Sequence, residues 1–143
     1  MKRGLLVITL GVAFLVAITW LGTFITNYFP SHPTPQVQTT QVGNYTVTLR
    51  VDPNPPSTEQ PATFSIQIQQ TDSHQPASNL HVAIDGYMEM DMSTTTSAQA
   101  RAQGAGTYVA HVSLGMSGSW EIQVHISISG QPALDAIFKV ATQ

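Results

Sequence analysis

Beyond a long apolar opening, hydrophobic residues recur along this chain at every second position. That period marks strands with one face in a core and the other in water. The first such run spans residues 44–51, where Tyr45, Val47, Leu49 and Val51 alternate with Thr46, Thr48 and Arg50. The following DPNPPSTEQP ends it, because Pro has no N–H to give a ladder. A second strand is predicted over 62–70 with Phe64, Ile66 and Ile68 inward, and a third over 80–85 with Leu80, Val82 and Ile84 inward. GYMEMDMSTT interrupts the alternation. A weaker fourth strand over 95–102 aligns Ala98, Ala100 and Ala102, and Gly104 and Gly106 mark the next turn. The fifth (107–114) buries Tyr108, Ala110, Val112 and Leu114, and the sixth (119–128) buries Trp120, Ile122, Val124, Ile126 and Ile128. The seventh (133–140) buries Leu134, Ala136, Phe138 and Val140.

Seven short strands with turn residues between them, and no helical period after residue 43, predict an all-β domain. The expected architecture is a seven-stranded antiparallel immunoglobulin-like sandwich, with a barrel as the alternative. Strands five and six, joined by GMSG, read as its most regular hairpin.

The opening run, residues 5–29, is LLVITLGVAFLVAITWLGTFITNYF and carries no charge. As a helix of about 25 residues it measures roughly 37 Å, enough to cross a bilayer. Lys2 and Arg3 precede it and no cation follows until Arg50. This asymmetry keeps the N-terminus in the cytoplasm and places the rest outside, with Trp20, Tyr28 and Phe29 near the outer headgroups. A cleaved signal peptide is the competing reading. Its apolar core would usually be about 7–15 residues before a small-x-small site, which this run lacks, so a retained anchor is preferred. The expected organisation is an N-terminal transmembrane anchor over 1–29, an extended linker over 30–43 (PSHPTPQVQTTQVG) and the β-sandwich over 44–143.

Composition narrows the function. Only 9% of the 143 residues are charged, the net charge is −3, and beyond residue 30 the cations are Arg50, Arg101 and Lys139. This argues against nucleic acid as a partner, which demands a basic surface. The chain has no Cys, so disulfides, thiolate zinc sites and a Cys-linked lipid are excluded. There is no G-x-S-x-G elbow, no second carboxylate loop for acid–base work and no glycine loop opening a helix. The chain is therefore not expected to be an enzyme.

One constellation has chemistry to offer. Met88, Met90 and Met92 alternate in YMEMDM, and Met116 sits in GMSG. In an extended segment the first three share a side. Thioethers are soft, neutral ligands that select Cu(I), with imidazole as a frequent companion; His81 is the second-rank donor. Glu89 and Asp91 add negative charge. The plainer reading is that flexible Met side chains cap an open end of the sandwich. Loops after strands one, three and five share one end if direction alternates. The Met segments then meet there, and the linker enters at the other end, leaving the Met residues distal from the membrane. His111 and His125 are expected outward on neighbouring strands, solvated.

These features resemble the YtkA-like domain family and, more distantly, FixH-like proteins. The resemblance covers about residues 44–140: an opening strand ending in VDPNPP, the YMEMDM segment, and GTYVAHVSLGMSGSWEIQVHI with its G-x-Y and Met-Gly-Trp-type pattern. It implies a small extracytoplasmic β-sandwich, often encoded with copper-handling or respiratory-oxidase assembly proteins. The candidates it carries over are Met88, Met90, Met92 and Met116, with Trp120 in the core. Family members often place a His just behind the Met cluster; here Ser93 and Thr94 to Thr96 stand instead. Two functions stay open: Cu(I) binding or delivery, and metal-free docking onto a membrane oxidase or transporter complex.

Overall fold

The computed structural model describes residues 34–143 and, ahead of them, Val16, Ile18 and Thr19. The expected anchor otherwise lies outside the described residues. Among the described residues no helix is long and apolar enough to cross a membrane.

Residues 34–143 are all β. The strands are β1 (Val37–Val42), β2 (Tyr45–Asp52), β3 (Ala62–Gln70), β4 (His81–Met88), β5 (Asp91–Gln99), β6 (Arg101–Gly104), β7 (Thr107–Val112), β8 (Gly118–Ser127) and β9 (Leu134–Thr142). They form two antiparallel sheets, ordered β1-β2-β3-β7-β6 and β5-β4-β8-β9. The alternation read from the sequence is the core itself. Leu49, Phe64, Ile66, Ile84, Tyr108, Trp120, Ile122 and Val124 are buried between the sheets.

Nine strands replace the seven expected, for two physical reasons. First, six residues of the predicted linker, VQTTQV, form β1 and pair with β2 from Val37↔Arg50 to Val42↔Tyr45. Val and Thr favour a pleated surface, and the Thr39 and Thr48 hydroxyls meet across the pair at 3.0 Å. Half-burial at alternate positions was too weak a signal beside the neighbouring prolines. Second, the single strand expected over 95–102 is two, β5 and β6. The chain leaves one sheet for the other at Ala100, whose N–H still donates to Val82 O at 2.9 Å.

The expected hairpin of strands five and six is also corrected. β7 pairs with β3 and β6, whereas β8 pairs with β4 and β9, so residues 113–117 cross between sheets. Period two reports which face is buried. It says nothing of which strand lies alongside.

The G-x-Y motif is architectural. Gly106 has φ +71°, and a Cβ there would stand 2.5 Å from Ile68 O. Its carbonyl accepts from Ile68 N at 2.9 Å. Two residues on, the buried Tyr108 hydroxyl donates to Ala77 O (3.1 Å) and accepts from Leu80 N (3.2 Å). Together they fasten β7 to β3 and to the connection leading into β4.

Strand directions gather the β2–β3 loop, the β4–β5 turn, the β7–β8 loop and the C-terminus at one end, as Gln143 N donating to Pro56 O shows. The start of the described chain joins them. Thr34 O accepts from Asn54 Nδ2 at 2.8 Å, and Thr34 Oγ1 accepts from Ala141 N at 3.1 Å. The chain thus enters at the end bearing the Met turn, not at the opposite end as expected, because β1 adds one more reversal before β2.

Candidate functional site: the methionine end

Met88, Met90 and Met92 follow one another from the end of β4 through the turn into β5. β4 closes with Met88, which is only 5% exposed. Its methyl group occupies the space over Gly118: a Cβ on that glycine would stand 2.9 Å from Met88 Cε. The thioether of Met88 is therefore packed into the end of the core. Met90 follows in the turn and is 89% exposed. Met92 is the second residue of β5.

Met116 lies in the β7–β8 loop, opposite this turn. Its backbone is held from two sides. Trp120 Nε1 donates to Met116 O at 3.0 Å, and Thr142 Oγ1 donates to the same carbonyl at 2.7 Å. Thr142 in turn accepts from Gly118 N at 2.9 Å. Both anchors are buried, yet the Met116 side chain remains 45% exposed. Thr94 Oγ1 lies 3.7 Å from Met116 Sδ and 3.1 Å from Asp91 Oδ2. The hydroxyl has one proton, and the carboxylate is the stronger acceptor, so the sulfur keeps its lone pairs.

The carboxylates around the thioethers have partners of their own. Glu89 forms an ion pair with Lys139 of β9. Its carboxyl is held below the usual value, first by the hydrogen bond from Lys139 and then by one from Ser119, and Lys139 is raised by the same Glu89 contact. Asp91 is lowered by the Ser93 hydroxyl, then by the Ser93 N–H, then by Thr94. A cavity of about 310 Å³ beside this end is lined by Tyr87, Met88, Glu89, Glu121 and Gln123. There Gln123 Nε2 donates to Glu121 at 2.8 Å.

His81 is not brought to this end. It opens β4 and Met88 closes it, roughly 23 Å apart along an extended strand. Among the described residues, the soft donors at this turn are thioethers, with the carboxylates of Glu89 and Asp91 beside them. Among the described residues, no three His, Asp or Glu side chains gather as a metal-holding group.

The histidines expected on neighbouring strands are on different sheets. His111 of β7 meets Thr63 Oγ1 at 3.4 Å on the outer face of one. His125 of β8 lies on the other, where Nε2 is 3.0 Å from Asp85 Oδ2 and Nδ1 is 2.6 Å from Asp135 Oδ1. The sequence reading missed this row across β4, β8 and β9. The signal lay in the period-two placement of Asp85, His125 and Asp135, all outward, and needed the strand order to be read. The two carboxylates address opposite nitrogens, so the row ties three strands together without enclosing a common point for a metal.

The profile of the YtkA-like family matches residues 39–125. The chain belongs to that family. Among solved structures, a DUF4426 family protein from Pseudomonas aeruginosa PAO1 superposes with a TM-score of 0.55 at 11% identity, over 74% of this chain and 94% of that one. At that identity the likeness speaks for the fold. No curated protein matches the sequence.

Proposed function

We propose that this YtkA-like chain is a single-span, membrane-anchored module. Its exported domain binds or delivers Cu(I) through the methionine end, in copper handling or respiratory-oxidase assembly. The strand order β2-β3-β7-β6 over β5-β4-β8-β9 supports reading the domain as immunoglobulin-like, with β1 as an added edge. The anchor rests on the charge-free run 5–29 behind Lys2 and Arg3.

One observation carries the metal reading. The Met116 backbone is pinned by Trp120 and Thr142 while its thioether stays exposed, next to the turn that presents Met90. Met90 is almost fully in water and Met116 nearly half so, which forgoes burial that both side chains would otherwise gain. This exposure suits a soft ion that binds neutral sulfur without displacing a proton. Met90 and Met116 are the outer ligands of this proposal, with Met92 the third candidate. Met88 lies beneath them and contributes on a small outward movement of its flexible side chain.

A second reading is a metal-free docking surface: the buried Met88 caps the end of the core, and the exposed Met90 and Met116 supply adaptable apolar contact. X-ray absorption at the copper edge separates the two. A sulfur shell around Cu(I), lost in Met90→Leu/Met116→Leu, supports the metal. Copper held by nitrogen and oxygen alone, or not held, leaves docking. Leu keeps the volume and hydrophobicity of Met and removes only the sulfur.

A further inference from the structure

The two sides of the sandwich are finished differently. On one side β1 and β9 close against each other. Gln38 Nε2 donates to Lys139 O at 2.6 Å, Thr34 Oγ1 accepts from Ala141 N at 3.1 Å, and Gln143 N donates to Pro56 O at 3.2 Å. These contacts cover the edge of β9. The other side ends in β5 and β6. β6 is blunted by its length of four residues and by Arg101. β5 is nine residues long and has β4 on one flank and no strand on the other. Its run from Met92 to Ala100, MSTTTSAQA, holds no charge and no Pro, two of the devices that keep a natural edge from pairing. A bulge takes Met92, Ser93 and Thr94 out of the ladder, since Met88 pairs with Asp91 and Tyr87 with Thr95. From Thr95 to Gln99 the pairing with β4 is regular.

In an antiparallel ladder alternate residues bond to one neighbour, and those between them point the other way. Ala100 N donates to Val82 O, so Thr96, Ala98 and Ala100 address β4. Thr95, Ser97 and Gln99 therefore direct their N–H and C=O groups to the open side, where among the described residues no other strand meets them. Ala98 and Ala100 pack against the core yet stay half-buried, because nothing flanks them.

We propose that this edge pairs with the same edge of a second copy of the chain, antiparallel about a two-fold axis through Ser97, so that two four-stranded sheets join as one. In that register Thr95 faces Gln99 of the second copy, and Ser97 faces its own counterpart. Every outward N–H meets an outward C=O, because the axis passes through a residue of the outward set. Thr, Ser and Gln side chains suit such cross-strand pairs, and no like charges are opposed. An unrelated strand would find neither charge nor Pro nor aromatic residue on this row to recognise, whereas the row is complementary to itself. The pairing consumes the open edge of both copies, so it closes at a dimer and does not propagate as a fibre. The dimer requires neither copper nor the anchor.

An interface built on Thr95–Gln99 is small, so assembly is followed against concentration, with the full chain in detergent at up to about 100 μM in sedimentation equilibrium. The expected result is a mass that rises from one chain to two. Thr95→Lys/Gln99→Lys sets Lys opposite Lys at both ends of the pairing and should weaken the dimer by about tenfold. Thr95→Lys/Gln99→Glu sets Lys opposite Glu and should keep it. Both positions are exposed, and their neighbours on β4 are Tyr87 and Ala83, so neither pair of substitutions meets a charge directly across the ladder within its own copy. A parent chain that stays monomeric throughout overturns the proposal. So does a dimer of equal strength in both variants, which would form through another surface. The absence of Cys provides a second measurement. Opposed residues of a hydrogen-bonded pair stand about 5.5 Å apart at Cα, within disulfide reach. Ser97→Cys should therefore oxidise to a linked dimer, and Ser127→Cys, exposed on β8 of the same sheet, should not. Linkage from neither position, or as readily from 127 as from 97, overturns the proposal.

Discussion

The indole N–H of Trp120 donates to the carbonyl of Met116, 3.0 Å away and four residues earlier in the chain. A buried ring in β8 thereby sets the loop that presents an exposed thioether. Truncating Trp120 to Ala should lower stability by about 3–5 kcal/mol, since the largest fully buried side chain is removed. Trp120→Phe keeps most of the volume and deletes the donor. It should cost about 1–3 kcal/mol and loosen Met116 while Thr142 still holds the carbonyl. Denaturant midpoints measure both; an unchanged midpoint for the Ala variant contradicts the placement of β8.

Tyr108→Phe tests the other fixed point of the fold. Without the hydroxyl, Leu80 N and Ala77 O lose their shared partner where water reaches poorly. The expected loss is about 1–3 kcal/mol. Amide exchange should rise first in residues 77–80, and protection unchanged there would contradict the assignment.

Gly106 and Gly130 form an internal control. Both have positive φ, but a Cβ on Gly106 meets the Ile68 carbonyl at 2.5 Å, whereas a Cβ on Gly130 meets nothing within 4 Å. Gly130→Ala should cost about 1 kcal/mol, the conformational penalty alone. Gly106→Ala should cost substantially more, because backbone must shift. Equal losses would show that the close approach at Gly106 is not real.

Much of this was legible in the sequence, and the limits have a common origin. Alternation identified the buried faces of Val47–Leu49–Val51, Phe64–Ile66–Ile68 and Trp120–Ile122–Val124, because burial acts on each strand separately. Pairing acts between strands, and no local signal marks it. Hence β7 and β8 read as a hairpin, and His111 and His125 as neighbours, although the chain crosses between sheets at residues 113–117. VQTTQV read as linker because an edge strand needs only half-burial. Adding it reverses the chain once more and carries the point of entry to the methionine end. Met88, Met90 and Met116 were legible as residues of one end. That Met88 turns into the core depends on the missing side chain of Gly118, which only the folded geometry reveals.

The charges around the turn set its pH range. Glu89 and Asp91 have depressed folded values, so their contribution is complete above the ordinary carboxylate range near 4 and is lost as pH falls through those lowered values. Lys139 is raised, so its contribution is complete below the ordinary lysine value near 10.4 and is lost as pH rises through its folded value. Between roughly pH 5 and 10 the turn should be constant. The ε-methyl resonances of Met90 and Met116 should hold still across that window and move only in stronger acid or base. Movement beginning near pH 6 would contradict the pairing.

Competition for Cu(I) against a chromophoric chelator, under reducing conditions and with the full chain in detergent, tests the proposed function most directly. The account predicts about one Cu(I) per chain, as a single soft-ligand cluster requires. It also predicts that Met90→Leu/Met116→Leu abolishes binding with no change in denaturant midpoint, since both side chains are exposed. Failure of the parent chain to take Cu(I) from the chelator, or undiminished binding by the double variant, would contradict it.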